Sequence, residues 1–240
     1  MKKAIMALSL CTAFFGSAHA AEWGYEGKHG PSHWGEFATE CTNGKNQSPI
    51  NIEDDVAAKI SDLNVSYTGK VNALTNNGHT LQGVVEGDNT FTVDGKAFKL
   101  AQFHFHTPSE NLIKNQSFPL EAHFVNVDSN GNLAVLAVMY NLAPSSNNEI
   151  SELLETLPTS GETVSLSKPF KVADMIPDTG NYYRFNGSLT TPPCSEGVRW
   201  FVLKQTQTLS KDQAQQFKQV MGKNNRPLQE RNARLVVTNR

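Results

Sequence analysis

Two histidines stand one residue apart in the segment AQFHFHTPSEN at residues 101–111. If this segment is a strand, His104 and His106 point to one of its faces, and the phenylalanines at 103 and 105 point to the other. Two imidazoles placed side by side can bind one metal ion. The spacing alone is weak evidence, because a chain with seven histidines can contain an HxH motif by chance.

A third histidine strengthens the metal hypothesis. His123 lies in EAHFVN, a predicted strand, and Glu121 precedes it on the same face. If the two strands are neighbours, three neutral imidazoles meet and leave a fourth coordination position open. That ligand set is typical of catalytic rather than structural zinc sites. Gln102 and Glu121 each offer an oxygen that can accept the second N–H of a metal-bound imidazole.

The elements that must position these residues are mostly short strands. Alternating apolar residues on both sides of Asp94-Gly95 predict a hairpin over NTFTVDGKAFKLAQFHFH. Further strands are predicted in PLEAHFVNVD, NLAVLAVMY and VRWFVLKQTQTL. Helices are predicted at 149–157 and over SKDQAQQFKQVM, where Ser210 is the N-cap and Gln213 completes a capping box. These patterns predict one α+β domain dominated by a sheet.

Composition excludes some classes of partner. Charged residues make up 18% of the 240 residues and the net charge is -2, so no strong field favours nucleic acid or an anionic surface. The basic residues are dispersed along the chain, which argues against a nucleic-acid groove.

The N-terminus has the pattern of a secretory signal peptide. Lys2 and Lys3 precede an apolar run too short to span a bilayer, and a small-x-small cleavage pattern ends at Ala20. We predict a signal peptide at 1–20, a folded domain at 21–240, and an exported, periplasmic protein whose mature chain does not insert into a membrane. Cys11 suggests a lipoprotein as the alternative, but Leu10 occupies the position before it, where lipidation signals have a small residue.

Two cysteines remain once the leader is removed. An even pair in an oxidising compartment favours a disulfide between Cys41 and Cys194. The alternatives are a thiolate zinc ligand or a nucleophile, but neither cysteine has a CxxC partner. A disulfide closing so long a loop would contribute on the order of 4 kcal/mol in the chain-entropy model, less any strain in the native state.

Seven blocks along the chain, in this order, resemble the α-class carbonic anhydrases. The blocks are WGYEGKHGPSHWGE, QSPINI, NNGH, QFHFHTPSEN, EAHFV, NGSLTTPPCSEGVRW and NNRPLQERNAR. The resemblance spans the chain from about residue 22 to its end. It implies a central, mostly antiparallel twisted β-sheet with few short peripheral helices, and it also supports the disulfide.

The resemblance implies a role for each matched residue. The metal ligands are His104, His106 and His123, held by Gln102, Glu121 and the backbone carbonyl of Asn224. Thr190 accepts the hydrogen bond of a zinc-bound hydroxide and donates to Glu110, and His79 shuttles the proton. The solvent-holding residues are Tyr25 and Asn77, and the carbon dioxide pocket comprises Val125, Val135, Leu189, Thr191 and Trp200.

The implied activity is the reversible hydration of carbon dioxide to bicarbonate and a proton by a zinc lyase, which sulfonamides and small anions inhibit. One alternative is a non-catalytic carbonic-anhydrase-like binding module, although such modules typically lack a ligand histidine. A zinc-binding protein of the periplasm is another, but it would have more ligands and no apolar pocket. Asn111 and Gln82 depart from the family pattern; neither removes a metal ligand, and their effect on water order or inhibitor contacts is left open. Trp23 and Trp34 are predicted to be packing residues.

Overall fold

The computed structural model describes residues 23–239. The predicted signal peptide and its cleavage site lie outside the described residues. The strands are β1 (Asn51–Ile52), β2 (Val56–Ala58), β3 (Asn64–Tyr67), β4 (Lys70–Asn76), β5 (Leu81–Glu86), β6 (Asn89–Val93), β7 (Lys96–His106), β8 (Leu112–Ile113), β9 (Leu120–Val127), β10 (Leu133–Leu142), β11 (Thr163–Lys171), β12 (Tyr182–Ser188), β13 (Glu196–Leu203), β14 (Gln207–Leu209) and β15 (Val237–Asn239). The α-helices are α1 (Trp34–Phe37), α2 (Glu40–Asn43), α3 (Asn148–Glu155) and α4 (Lys211–Met221), and 3-10 turns lie at Gly27–His29, Pro31–His33 and Val172–Met175.

One large sheet contains 13 of these strands. Its main path runs β11-β4-β5-β7-β9-β10-β13-β12-β15-β2, and β3, β6 and β14 pair beside it. Most neighbours are antiparallel, whereas β10 runs parallel to β13 and β14, and β15 runs parallel to β2. This arrangement confirms the predicted α+β class with a mostly antiparallel sheet. The strands with the candidate ligands, β7 and β9, are adjacent and lie in the interior of the sheet.

The two faces of the sheet have separate apolar cores. On β10, Leu136 and Val138 belong to the larger core, which also receives Ile150 from α3 and Phe217 from α4. The alternate residues of β10, such as Val135, belong to a smaller core on the opposite face. The pleat of each strand produces this division, because successive side chains point to opposite faces.

A β-bulge in β7 decides which face receives the histidines. The register with β9 pairs Leu100 with Asn126 and then Gln102 with Val125, so Ala101 is the extra residue. Before the bulge, even-numbered Leu100 packs in the larger core; after it, odd-numbered Phe103 does so. The bulge therefore moves the even-numbered residues, including the two histidines, to the face with the smaller core.

Several predicted elements match the structure. The hairpin joins β6 to β7 through Asp94 and Gly95, whose φ angles of 52° and 70° are those of a two-residue type I′ turn. Both helices form, and Ser210 and Gln213 make both bonds of the capping box. The segment VRWFVLKQTQTL was predicted as one strand, but it divides into β13 and β14. The chain bends at 204–206, so that β14 pairs with the far end of β10.

Trp34 is fully buried, as predicted for a packing residue. Within residues 23–239, no helix combines the length and the apolar character needed to cross a membrane.

Candidate metal centre

Three histidines from two neighbouring strands meet at one point. His104 on β7 is directly opposite His123 on β9, and His106 follows on the same face of β7. One ring nitrogen from each residue lies within 4.8 Å of the others. The spacing argument selected these three residues, and the antiparallel register brings them together.

The second nitrogen of each ring has a fixed oxygen partner. Nδ1 of His104 is 2.8 Å from Oε1 of Gln102, and Nδ1 of His106 is 2.7 Å from the carbonyl oxygen of Asn224. Nε2 of His123 is 2.9 Å from Oε1 of Glu121. This contact is close, but it does not have the geometry of a regular hydrogen bond. The nitrogens left for a ligand are therefore Nε2 of His104 and His106, and Nδ1 of His123.

The environment keeps the three imidazoles neutral. Burial lowers the pKa of His104 and of His123 well below the ordinary histidine value, and the neighbouring imidazoles add to the effect. Burial also lowers the pKa of His106, although the hydrogen bond to the Asn224 carbonyl opposes it. Neutral imidazoles have a free lone pair, which metal binding requires.

Glu121 is held rigidly by the segment that follows β7. Its Oε2 accepts the backbone N–H groups of Glu110 at 2.7 Å and Asn111 at 2.9 Å, and its Oε1 accepts the Asn111 amide at 2.8 Å. Asn111 is fully buried and also accepts the N–H of Ile50 at 3.1 Å. The Asn111 side chain is therefore committed to Glu121 and to the backbone of Ile50.

Glu110 lies beside the histidines. Its Oε2 is 3.4 Å from Nε2 of His106, and its Oε1 accepts the backbone N–H of Arg226 at 2.9 Å. Burial raises the pKa of Glu110 well above the ordinary value, and hydrogen bonds from Arg226 and the Thr190 side chain oppose this effect. The side chains of Thr190 and Glu110 are therefore partners next to the three histidines.

The residues present fit a divalent cation. Nε2 of His106 and Oε2 of Glu110 are buried and have no hydrogen-bond partner among residues 23–239. Two buried carboxylates, Glu110 and Glu121, lie around three imidazoles, and a buried negative charge is costly without a compensating cation. Three imidazole nitrogens converging on one point are a donor set suited to Zn²⁺.

A cavity of about 120 Å³ opens onto this point. His104 and His106 form part of its wall, which also includes Gln82. The other residues that line the cavity are Trp23, Tyr25, Asn77, His79, Thr80, Gln102 and Thr191. Burial raises the pKa of Tyr25, and the charge of Glu110 adds to the effect, so the phenol stays protonated. Trp23, predicted as a packing residue only, is part of the cavity wall.

The turn that contains His79, called the His79 turn below, is held by hydrogen bonds with asparagine side chains. Oδ1 of Asn77 accepts the backbone N–H groups of His79 at 3.0 Å and Thr80 at 2.9 Å, so this side chain orders the turn as well as facing the cavity. Asn224 donates to the carbonyl of His79 at 3.1 Å. The His79 ring stacks on Trp23, with 3.8 Å between ring centroids and 8° between planes.

An apolar wall crosses three strands beside the histidines. Val125 on β9 pairs with Val135 on β10, which pairs with Trp200 on β13. The Trp200 ring meets His123 edge-on at 4.9 Å between centroids, and Leu189 packs against the same cluster. The register of three strands therefore unites apolar residues that lie far apart in the chain.

The structure contains the predicted Cys41–Cys194 disulfide. Cys194 is fully buried, and its N–H donates to the carbonyl of Thr191 at 2.8 Å. The bridge thus joins the N-terminal segment to the loop that contains Thr190. Neither Cys41 nor Cys194 is therefore available as a thiolate ligand or nucleophile.

Comparisons with known proteins agree on one family. A family model described as eukaryotic-type carbonic anhydrase matches residues 29–240. The carbonic anhydrase of Neisseria gonorrhoeae is 46% identical over 237 residues, which cover 96% of this chain and 94% of that protein.

Solved structures give the same result. An α-carbonic anhydrase of Photobacterium profundum has 54% identity and a TM-score of 0.89, and the match covers 90% of this chain and all of that one. The α-carbonic anhydrase of Thermovibrio ammonificans in complex with the inhibitor sulfanilamide has 43% identity and a TM-score of 0.86, over 90% and 98% of the two chains.

Proposed function

The chain belongs to the eukaryotic-type, or α-class, carbonic anhydrase family of lyases, which hydrate carbon dioxide reversibly, and we propose that His104, His106 and His123 hold its zinc ion. The observation that supports this proposal is the orientation of the three rings: one nitrogen of each faces its partner oxygen, and the other faces a common point. When bound there, Zn²⁺ supplies the Lewis acid that makes hydroxide available near neutral pH, the established chemistry of carbonic anhydrases.

Thr190 and Glu110 orient the attacking oxygen in this proposal. If the Thr190 hydroxyl donates its proton to Glu110, the threonine oxygen can only accept a hydrogen bond from the nucleophile. The nucleophile must then point a lone pair at the substrate, which reduces the entropy lost in reaching the reactive geometry. Burial and the charge of Glu121 raise the pKa of Glu110, and a cation on the adjacent imidazoles would favour the ionised carboxylate that this polarity requires.

The apolar wall provides a place for the substrate. Carbon dioxide has no net dipole and no hydrogen-bond donor, so it is best held by side chains that exclude water. Val125, Val135, Leu189 and Trp200 form such a surface beside His123, and Thr191 contributes to the cavity wall. We assign these residues to the carbon dioxide pocket.

His79 is assigned to proton release. It lines the cavity that contains His104, while Tyr25 and Asn77 line the same cavity with polar groups able to hold water. Imidazole side chains change charge in the neutral pH range, which suits them to pass a proton from the cavity to buffer. Stacking on Trp23 holds the His79 ring at the cavity wall.

Sulfonamide binding is proposed by similarity. The structure of the Thermovibrio ammonificans relative was solved in complex with sulfanilamide, and this chain belongs to the same family. We expect sulfanilamide and small anions to compete for the position that faces the three histidines.

We also propose that residues 1–20 are a signal peptide and that residues 21–240 function in the periplasm. The basic, apolar and small-residue pattern of the leader and the Cys41–Cys194 bridge support this proposal. N-terminal sequencing of protein from a periplasmic fraction tests it, with Ala21 as the expected first residue.

Stopped-flow carbon dioxide hydration, with zinc content measured in parallel, tests the proposed function. Hydration should disappear on chelation and return with one equivalent of Zn²⁺, and His123→Ala should lose the metal. A protein that binds zinc but leaves hydration at the uncatalysed rate would be a binding module instead.

The shuttle has its own test. His79→Ala should lower kcat by about 10²-fold in dilute buffer, and added imidazole should restore it. His33→Ala is the matched control, since His33 contacts Glu36 at the surface instead of lining the cavity. Equal losses in both variants would refute the assignment of His79.

A further inference from the structure

One methionine of the described chain differs from the others in exposure. Met139 and Met175 are buried at 0% and 1% exposure, whereas Met221, the last residue of α4, is only half-buried. Thioethers react with peroxides according to their accessibility. Among residues 23–239, Met221 is thus the most exposed methionine, and we expect it to react first.

The Met221 sulfur is a hydrogen-bond acceptor at a junction of three segments. The backbone N–H of Leu81 donates to it at 3.3 Å. The Thr80 hydroxyl lies at 3.6 Å and the side-chain nitrogen of Asn224 at 3.8 Å. Polar donors therefore surround the sulfur on the side that faces the interior.

Each of these donors positions a residue of the metal centre. Thr80 and Leu81 directly follow His79, and Asn224 donates to the His79 carbonyl at 3.1 Å. The backbone carbonyl of Asn224 accepts the Nδ1 proton of His106 at 2.7 Å. A change at the sulfur acts on the His79 turn directly and on His106 through Asn224.

We propose that Met221 is an oxidative modification site that controls the His79 turn. A peroxide transfers one oxygen atom to the thioether: the sulfur is oxidised to the sulfoxide, the O–O bond breaks, and hydrogen peroxide is reduced to water. The oxidised sulfur has a new oxygen and one lone pair fewer, so the contacts with the Leu81 N–H and the Asn224 amide must rearrange. The turn moves away from its present position, and proton release through His79 slows.

The effect on kinetics rests on the proposed role of His79, but the modification itself does not. A slower proton transfer should lower kcat by about threefold or more and leave kcat/KM nearly unchanged, because proton release follows the hydration step. A methionine sulfoxide reductase should restore kcat, since sulfoxide formation is reversible.

The test treats the purified full chain with dilute hydrogen peroxide. Peptide mass spectrometry measures oxygen uptake at each methionine, and heteronuclear NMR of the metal-free protein monitors the Leu81 backbone amide and the Asn224 side-chain amide. Met221→Leu has a similar volume but no oxidisable sulfur, and Met175→Leu is the matched buried control. Kinetics are measured on the zinc-loaded forms of all three proteins.

We expect oxidation of Met221 before Met139 and Met175, with shifts of both amide signals. Peroxide should lower the kcat of the wild-type protein and of Met175→Leu, and it should leave that of Met221→Leu unchanged. The proposal is overturned if Met221 resists oxidation, if its oxidation leaves both amides in place, or if Met221→Leu is equally sensitive. Shifted amides with an unchanged kcat would retain the modification site and overturn the role of His79.

Discussion

The orientation of the three histidines is set by oxygen partners within the protein. Each ring has one nitrogen against a fixed oxygen, and two of these oxygens, on Asn224 and Glu121, are themselves held by neighbouring groups. Glu121 accepts three hydrogen bonds from residues 110 and 111. Such support lowers the entropic cost of assembling a metal site, because the ligands do not have to be ordered when the ion arrives.

At the scale of single residues, the Thr190 hydroxyl gives the most specific test of how the nucleophile is oriented. Thr190→Ala should lower kcat/KM about 10²-fold, because the nucleophile would lose the acceptor that we propose orients it. Thr190→Ser keeps the hydroxyl and should retain most of the activity. Stopped-flow hydration assays with matched zinc content measure both variants. Equal losses in the two variants would show that the threonine methyl group, and not its hydroxyl, is what matters.

At the scale of elements, the bulge in β7 decides which side chains reach the site. The bulge at Ala101 sends Gln102, His104 and His106 to the site face, while Phe103 continues in the core. The hairpin at the start of β7 and the N-terminal caps of α3 and α4 stabilise the scaffold that holds these residues.

The hairpin turn contributes an ion pair with a defined pH dependence. Both carboxylate oxygens of Asp94 bind the Arg184 guanidinium, and this hydrogen bonding lowers the pKa of Asp94 against the opposing effect of burial. Since the folded-state pKa lies below the unfolded value, the stabilisation is complete above about pH 4 and is lost as the pH falls through the folded-state pKa.

Asp94→Asn should therefore lower the free energy of unfolding at pH 7 by up to about 1 kcal/mol. The difference from the wild-type protein should shrink as the pH falls below about 4. Asparagine tolerates the positive φ of this position, so the turn itself is preserved. Urea unfolding at a series of pH values measures the effect; a difference that is independent of pH would contradict it.

Gln213 links the N-termini of both helices. Its Oε1 accepts the N–H groups of Ser210 and Asn147, each at 3.0 Å, and its Nε2 donates to the Asn147 carbonyl at 2.7 Å and to the Ser151 hydroxyl at 2.9 Å. The sequence predicts only the bond within α4. The bonds to residues 147 and 151 depend on the packing of α3 against α4.

Gln213→Leu should cost about 2 kcal/mol of unfolding free energy, because partly buried N–H groups at two helix starts lose their acceptor. Gln215→Leu, at an exposed position of the same helix, should change stability by less than about 0.5 kcal/mol. Urea unfolding compares the two. Similar values would show that Gln213 acts as an ordinary surface residue of α4.

At the scale of the whole molecule, distant segments converge behind the site. The Arg226 guanidinium donates to the carbonyl of Cys41 at 2.9 Å, and to the side chain of Gln47 and the carbonyl of Ser48, each at 2.8 Å. Its own backbone N–H binds Glu110. The N-terminal segment, the loop after β7 and the segment after α4 are thereby joined, and the disulfide adds the Thr190 loop.

Loss of the disulfide should destabilise the whole domain. The bridge closes a loop with a sequence separation of 153 residues, so its removal should cost about 5 kcal/mol in the chain-entropy model, less any strain in the native state. Guanidinium unfolding of the oxidised protein, the reduced protein and the Cys41→Ala/Cys194→Ala double variant measures this cost. The double variant should be insensitive to reductant. Coincident unfolding curves for all three would show that the bridge adds nothing to stability.

Much of the site was determined by the sequence through local rules. The alternation of a strand predicts that His104 and His106 share a face, and the spacing of Glu121 and His123 predicts the same for them. Ser210 and Gln213 predict the start of α4 for a similar reason, since a capping box needs only four consecutive residues. Each of these inferences uses a contact between residues close together in the chain.

Only the tertiary structure decided how these parts meet. The pairing of β7 with β9 sets His104 opposite His123, and the carbonyl that orients His106 comes from Asn224, 118 residues further along the chain. The burial of Asn111 and the donors around the Met221 sulfur depend likewise on strand order and helix packing. A periodic pattern specifies which face a side chain takes, whereas register and packing specify what that side chain touches.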